Sequence, residues 1–279
     1  MKLSLAFSSC PNDTFIFDAL VNNRIDAEGF DFGTQIVDIQ ELNEMALRGS
    51  VDIIKLSLAA YPNVSQNYQL LTSGGAMGSG VGPLVVSRLK IYPDEVGHTS
   101  VAIPGLQTTA NLLFTLKYPN VIKKKVYLFS QIEEALLSYQ ADIGVLIHEG
   151  RFTYQKKGLR LVLDLGVFWE QLTGFPIPLG GIAVRRSLPE GVKQALNRLI
   201  RASTEYAITR PSASYPFVRQ HAHSIDDDAL RGHIELYVND YTLNFGAKGK
   251  EAANELFKCA SGIGFCGAMD AALPAFISE

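Results

Sequence analysis

Four polar segments of the sequence stand where an apolar run ends and an amphipathic segment begins. In open parallel sheets, such strand-to-helix turns bind ligands because the helices present unpaired backbone N–H groups there. Their residue types include several hydroxyls, the ammonium of Lys55 and the imidazole of His148. They suit the binding of an anionic, hydroxyl-bearing small molecule and the transfer of a proton. The four segments are residues 8–14, 55–57, 108–109 and 147–151.

His148 follows the apolar run at 143–147. An imidazole at the end of a strand faces the edge of the sheet, and its ordinary pKa near neutrality suits a general base. A partly buried histidine that is satisfied by hydrogen bonds would look the same in sequence, so this alternative stays open. His233 falls on an apolar helical stripe and is predicted to be a core residue.

Lys55, Leu56 and Ser57 end another predicted strand. A lysine at the end of a buried strand requires an anion or a carboxylate as the partner of its ammonium group. Ser57 can cap the next helix or donate to a ligand, and the sequence leaves both roles open.

Residues 8–14 (SSCPNDT) supply small polar donors in a turn that Pro11 restrains. Asn12 or Asp13 is predicted to cap a helix over 13–21. An ordinary capped turn explains the same residues without any ligand. Cys10 could act as a nucleophile only beside a base, and the local sequence shows none.

Thr108 and Thr109 begin a helix that is predicted over 108–118. Two hydroxyls beside the free N–H groups of a helix start can hold a carboxylate or a phosphate, although a simple helix cap explains them equally well. The spacing of a P-loop is missing. No H-x-x-x-H or C-x-x-C pair is present either, so neither a metal nor another cofactor is predicted.

The composition disfavours two classes of partner. The chain has 279 residues, with Lys+Arg 25 against Asp+Glu 28, and its densest basic run is only the three lysines at 123–125. Binding to nucleic acid would require a broader basic face. No stretch approaches the roughly 20 apolar residues of a membrane span. The apolar segment 3–7 is too short for a signal peptide, and we predict that it is a buried first strand. With three unpaired-looking cysteines, we expect a cytoplasmic protein.

Short apolar runs alternate with amphipathic segments throughout the chain, which predicts an α/β fold with parallel strands. Residues 83–88 (PLVVSR) and 178–186 (PLGGIAVRR) share a pattern, and we interpret them as two crossover strands that join two domains. The larger predicted domain is discontinuous and combines residues 1–88 with 180–279. The smaller one spans 89–179, and a ligand cleft is expected between the two.

Residues 73–82 (SGGAMGSGVG) contain five glycines among ten residues. Glycine at this density disfavours both a helix and a well-packed strand. We therefore predict a loop, which lies just before the first crossover and is expected to line the cleft.

Beyond these patterns, the sequence resembles the 1,4-dihydroxy-6-naphthoate synthases, a family that acts late in the futalosine route to menaquinone. The resemblance covers nearly the whole chain, and the run His-Glu-x-Arg-Phe-Thr-Tyr is its most specific part. The matching motifs are SSCPNDTFIFDAL (8–20), KLSLAAY (55–61), SGGAMGSGVGPLVVSR (73–88), IHEGRFTYQKKGL (147–159), DLGVFWEQLTGFPIPLG (164–180) and YVNDY (237–241).

The resemblance implies a fold like that of type 2 periplasmic binding proteins, with two lobes, a double crossover hinge and an interlobe cleft. It implies a lyase that converts cyclic dehypoxanthine futalosine to 1,4-dihydroxy-6-naphthoate and releases a sugar-derived three-carbon fragment, without a cofactor. The proton acceptor of the family corresponds to His148. The substrate, a small molecule with an aromatic carboxylate, is expected to contact Lys55, Leu56, Ser57, Thr108 and Thr109.

Two other functions share this fold. One is a non-enzymatic solute-binding protein, which normally needs an export signal and has no use for a poised histidine. The other is a chorismate dehydratase, the sister enzyme of the same pathway. The PNDTF and HEGRFTY runs favour the naphthoate synthases. Regulatory effector domains also share the architecture, but no pair of DNA-binding helices precedes the first strand.

Overall fold

The computed structural model of the chain describes residues 1–148, 150–222 and 226–278. It contains two β-sheets with helices packed around both, in agreement with the predicted α/β class. The strands are β1 (Lys2–Phe7), β2 (Asp31–Ile36), β3 (Ile53–Ser57), β4 (Tyr68–Leu70), β5 (Ala76–Gly78), β6 (Leu84–Ser87), β7 (Val101–Ile103), β8 (Lys124–Val126), β9 (Ile143–Leu146), β10 (Arg160–Asp164) and β11 (Ile177–Arg185). The helices are α1 (Pro11–Val21), α2 (Ile39–Arg48), α3 (Tyr61–Val64), α4 (Thr109–Lys117), α5 (Ile132–Leu137), α6 (Gly150–Thr153), α7 (Leu165–Thr173), α8 (Glu190–Thr209), α9 (Pro211–His221), α10 (Asp227–Tyr237), α11 (Asp240–Leu243) and α12 (Gly246–Gly262).

The strand order brings the predicted turns to two sheet edges. The first sheet has the order β2-β1-β3-β11-β4, with β5 paired to β11, and the second has the order β10-β6-β9-β7-β8. Strands β1 and β3 are parallel, and so are β7 and β9. Because parallel strands end at the same edge, the turns after β1 and β3 lie together, and so do the turns after β7 and β9.

The chain crosses between the two sheets twice. It leaves the first sheet between β5 and β6 and returns between β10 and β11. The two predicted crossover strands, 83–88 and 178–186, are β6 and β11, and they lie in different sheets. The division into domains 1–88 plus 180–279 and 89–179 stays a prediction. Within it, β6 pairs with the second sheet, so the first exchange falls before residue 84 rather than after residue 88.

The two crossover connections touch each other at a pair of glycines. A Cβ atom on Gly82 would lie 2.2 Å from both the Cα and the N atom of Gly166. Because the Cβ of an alanine at position 82 would collide with the backbone of Gly166, the two connections would have to move apart. We expect this substitution to destabilise the protein by roughly 1–3 kcal/mol, which thermal unfolding would detect. Gly191→Ala at the start of α8 is the matched control, because a Cβ there meets open space. Equal melting temperatures for the two variants would contradict this prediction.

The glycine-rich segment 73–82 differs from its predicted loop structure. Its residues Ala76–Gly78 form β5, which is buried and pairs with β11. Backbone hydrogen bonds to a neighbouring strand do not depend on side chains, and the glycines allow close packing. A Cβ on Gly75, for example, would lie 2.5 Å from the Phe245 ring. The expectation that no well-packed strand forms here is therefore wrong.

The apolar core is continuous between the two sheets. Its largest cluster contains Ile54 and Leu56 of the first sheet and Val145 of the second, together with the fully buried Trp169 of α7. A second cluster fills the space between the first sheet and helices α1 and α8. Among the described residues, none of the helices combines the length and the apolar character that crossing a membrane requires.

Candidate functional site

The four polar turns meet at one cavity between the two sheets. The empty space within its walls amounts to about 630 Å³, which includes solvent at its open mouth. All six residues that the sequence predicts for the site line this cavity. They are Lys55, Leu56, Ser57, Thr108, Thr109 and His148.

His148 lies just beyond β9, at the cavity wall. Its side chain is half-buried, and its Nε2 atom lies 3.1 Å from the Sγ atom of Cys10. The ring of Phe129 packs edge-on against the imidazole at 4.8 Å between ring centroids. The backbone φ of His148 is 54°, a left-handed conformation that is uncommon for residues other than glycine and that clusters at functional sites. The imidazole is thus held at the cavity and is not packed into an apolar interior.

Cys10 occupies the N-cap position of α1, and its side chain makes no cap hydrogen bond. The prediction that Asn12 or Asp13 caps this helix is wrong. Both residues lie inside the first turn, and their side chains bind partners in the site instead. The local sequence contains no base beside Cys10, but the fold places His148, which is 138 residues further along the chain, next to its thiol.

Lys55 forms a buried ion pair with Asp13. The Nζ atom lies 2.9 Å from Asp13 Oδ1, and each side chain is only 3% exposed. Lys55 also donates to the carbonyl oxygen of Gly74 at 3.0 Å, and Ser8 donates to Asp13 Oδ2 at 2.6 Å. Asp13 is therefore the carboxylate partner that a lysine at this position requires. An ammonium has three N–H donors, so one beyond these two contacts can serve a ligand.

Ser57 is held by Asn43 of α2. The backbone N–H of Ser57 donates to Asn43 Oδ1 at 2.9 Å, and Asn43 Nδ2 donates to Ser57 Oγ at 3.1 Å. Because the hydroxyl oxygen accepts from Asn43, its own hydrogen can be donated to a ligand in the cavity.

Thr108 and Thr109 build the wall of the cavity where α4 begins. Thr108 is the N-cap and accepts from the N–H of Asn111 at 3.2 Å, as the capping alternative predicted. Its hydroxyl donates to Gly105, while that of Thr109 donates to the carbonyl oxygen of Leu179 in β11 at 2.8 Å. These hydroxyl hydrogens are committed to the protein. An anion at this turn would therefore be attracted by the positive N-terminal end of α4 rather than by the threonine hydroxyls.

The structure adds residues that sequence reasoning did not assign to the site. Asn12, Asp13 and Tyr237 line the cavity. Tyr237 donates from its hydroxyl to the carbonyl oxygen of Val81, and it belongs to the YVNDY motif, the one available signal for it. His233 is fully buried, as predicted, yet its ring lies 6.1 Å from that of His148.

The electrostatic character of the cavity is nearly neutral. Among its described lining residues, only Asp13 and Lys55 carry opposite formal charges, and the wall is otherwise mostly apolar. Such a lining suits a flat aromatic body with a few polar groups. In the described part of the chain, no cluster of three or more His, Cys, Asp or Glu side chains could hold a metal ion.

The sequence model of the menaquinone biosynthesis family matches residues 3–262 of the chain, which is most of its length. The chain belongs to the menaquinone biosynthesis family. It is therefore an enzyme of that pathway, and the alternative of a non-enzymatic solute-binding protein is not supported.

Two relatives within this menaquinone biosynthesis family are 1,4-dihydroxy-6-naphthoate synthases. The one from Thermus thermophilus is 41% identical over 255 residues, which covers 91% of this chain and 92% of the relative. The one from Streptomyces coelicolor is 41% identical over 273 residues, covering 96% and 95%.

Solved structures establish the fold of this menaquinone biosynthesis protein. A crystal structure of a protein from Archaeoglobus fulgidus superposes with a TM-score of 0.90 at 32% identity and covers 94% of this chain and 98% of that one. The alkanesulfonate-binding protein of Xanthomonas axonopodis superposes with a TM-score of 0.71 at 10% identity, covering 95% and 93%. The predicted type 2 periplasmic-binding-protein fold is confirmed.

Proposed function

We propose that this enzyme converts cyclic dehypoxanthine futalosine to 1,4-dihydroxy-6-naphthoate, with release of a sugar-derived three-carbon fragment. The observation that carries the proposal is the imidazole of His148 at a cavity that Ser57 and Lys55 also line. The two 41% identical naphthoate synthases support the same activity.

In this proposal His148 is the proton acceptor. Removal of an acidic proton from the ring-fused sugar starts the cleavage of a carbon–carbon bond, and formation of the aromatic product drives it. A positioned general base contributes about 10²–10⁴-fold to the rate of such a step. The half-buried setting between Cys10 and Phe129 fixes the ring, which keeps the proton transfer short.

The remaining groups bind the substrate and stabilise developing negative charge. The aromatic carboxylate is placed near the start of α4, where Thr108 caps the helix and its positive end faces the cavity. Ser57 donates its hydroxyl hydrogen, and Lys55 its third N–H, to oxygens of the sugar remnant. Leu56 and its apolar neighbours exclude water from the aromatic ring.

We also place the enzyme in the cytoplasm. The three cysteines, Cys10, Cys259 and Cys266, are free thiols, as expected in a reducing compartment.

A direct assay of the purified enzyme tests this function. Cyclic dehypoxanthine futalosine and chorismate are supplied separately, and the products are identified by mass spectrometry. We expect 1,4-dihydroxy-6-naphthoate from the first substrate and no dehydration of the second. Turnover of chorismate alone would replace the proposal by the sister activity, and turnover of neither would reject both.

A further inference from the structure

His233 is a buried histidine of α10 for which the reaction proposed above has no role. Its side chain is 0% exposed, and its ring contacts Tyr237 at 4.6 Å between centroids and lies 6.1 Å from His148. His148 follows a strand of the second sheet, whereas α10 packs against α1 and β5 beside the first. Both imidazoles bond through Nε2 to the start of α1, to Cys10 in one case and to Asn12 in the other.

The contacts of Asn12 determine which nitrogen of His233 carries hydrogen. The Asp13 carboxylate only accepts, so the Nδ2 amide group of Asn12, 2.8 Å away, must be the donor. The amide oxygen of Asn12 then faces His233 Nε2 at 3.0 Å, and Nε2–H must donate to it. Burial, and secondly the charge of His148, lower the pKa of His233 well below its ordinary value. The ring is therefore neutral, with its lone pair on Nδ1.

This Nδ1 atom is buried and has no hydrogen-bond partner among the described residues. A buried acceptor without a donor is costly, and such atoms are rare in native structures. The Lys55–Asp13–Asn12 series nevertheless holds His233 in the one tautomer that leaves Nδ1 bare. The protein thus maintains an unpaired acceptor beside the proposed base.

We propose that His233 is a positioning residue for His148: its Nδ1, which has no hydrogen-bond partner among the described residues, accepts the Nδ1–H of the His148 imidazolium after proton transfer, when the two rings close from their centroid separation of 6.1 Å. The proposal rests on the role of His148 stated under the proposed function. It extends the site into the protein behind the cavity.

The other ionisable groups around His233 do not substitute for this acceptor. Asp13 of α1 and Lys55 of β3 neutralise each other, and Cys10 of α1 contacts the Nε2 side of His148. On α10 itself, the Tyr237 hydroxyl donates to Val81.

Two substitutions of similar size separate the two nitrogens. His233→Asn places an amide oxygen near the position of Nδ1, whereas His233→Gln reaches the position of Nε2 and retains the link to Asn12. For His233→Gln we expect kcat to fall about 10–100-fold with little change in KM. The acid limb of its kcat/KM profile moves to lower pH, because the imidazolium is less stabilised. His233→Asn is expected to stay within a few-fold of the parent, with the limb unmoved.

Several outcomes would overturn the proposal. Normal kcat in His233→Gln would do so, and so would equal losses in both variants, which indicate a purely structural role. His221→Gln, on α9 and half-buried away from the cavity, is the matched control and should retain activity. His148→Ala in the same assay separates the two claims: if it is active, the proposed function of His148 fails as well, whereas an inactive His148→Ala beside a normal His233→Gln rejects only this inference.

The tautomer can also be measured without any substitution. Nitrogen-15 spectra of histidine-labelled protein distinguish Nε2–H from Nδ1–H rings, and His233 is the ring that stays neutral as the pH is lowered. We expect the Nε2–H form. An Nδ1–H ring would overturn the proposal even if both variants failed to fold.

Discussion

Replacement of His148 by alanine is expected to lower kcat by about 10²–10⁴-fold, the range of positioned general-base catalysis. KM should change little, because the proposed contacts to the carboxylate and to the sugar oxygens come from α4, Ser57 and Lys55. A loss in kcat without a matching loss in binding indicates a group that acts in the transition state. Steady-state kinetics on cyclic dehypoxanthine futalosine would measure both constants.

His98→Ala is the control for the His148 variant. His98 is exposed and is not among the described residues that line the cavity, so its removal should leave kcat unchanged. Near-normal turnover by His148→Ala would exclude this histidine as the base. The ring also has to be neutral to accept a proton, so the parent enzyme should lose activity when the medium becomes acidic enough to protonate it.

Asp13→Asn is expected to cause the largest loss of stability. It retains the shape of the side chain but leaves the Lys55 ammonium, 3% exposed, without its counter-charge. Breaking one side of a buried ion pair typically costs about 3–5 kcal/mol, because the remaining charge is desolvated and unpaired. Chemical denaturation followed by circular dichroism would measure the free energy of unfolding.

Two further variants test the cause of that loss. Adding Lys55→Met removes the stranded charge, so the double variant should recover much of the stability while remaining impaired in catalysis. Glu205→Gln breaks the exposed pair between Glu205 and Arg201, and should cost less than about 1 kcal/mol. If Asp13→Asn were no more destabilising than Glu205→Gln, the buried pair between Asp13 and Lys55 would not be a major contribution to the stability of the protein.

The overall fold followed from sequence wherever periodicity was strong. The predicted strand over 3–7 is β1, and the helix predicted over 108–118 is α4 (Thr109–Lys117). Strand β5 could not be predicted, because its pairing depends on an edge of β11 about 100 residues away and not on its own side chains. The crossover pattern located β6 and β11 but could not say which sheet each one joins, since that is decided by long-range pairing.

The residues of the site were predicted in part, for a physical reason. Side chains at the ends of parallel strands of one sheet share an edge, so Ser57 could be placed with the turn at 8–14, and His148 with Thr108, from local sequence alone. The partners of Asp13 could not be found, because Lys55 lies 42 residues further along the chain and nothing local indicates it. His233 was predicted to be a core residue, and it is buried. That its ring lies near the ring of His148 could be learned only from the three-dimensional structure.

Strand β11 sits between β3 and β4 in the first sheet, and this position has a consequence for synthesis of the protein. When β4 leaves the ribosome at residue 70, the strand that will join it to β3 begins only at residue 177. At about 5–20 residues per second, the nascent chain carries these open strand edges for roughly 5–20 s. The intervening lobe can fold meanwhile, but the first sheet has to await its late middle strand. Growing chains of this enzyme therefore expose unpaired β-edges, to which other chains can pair, until β11 is made.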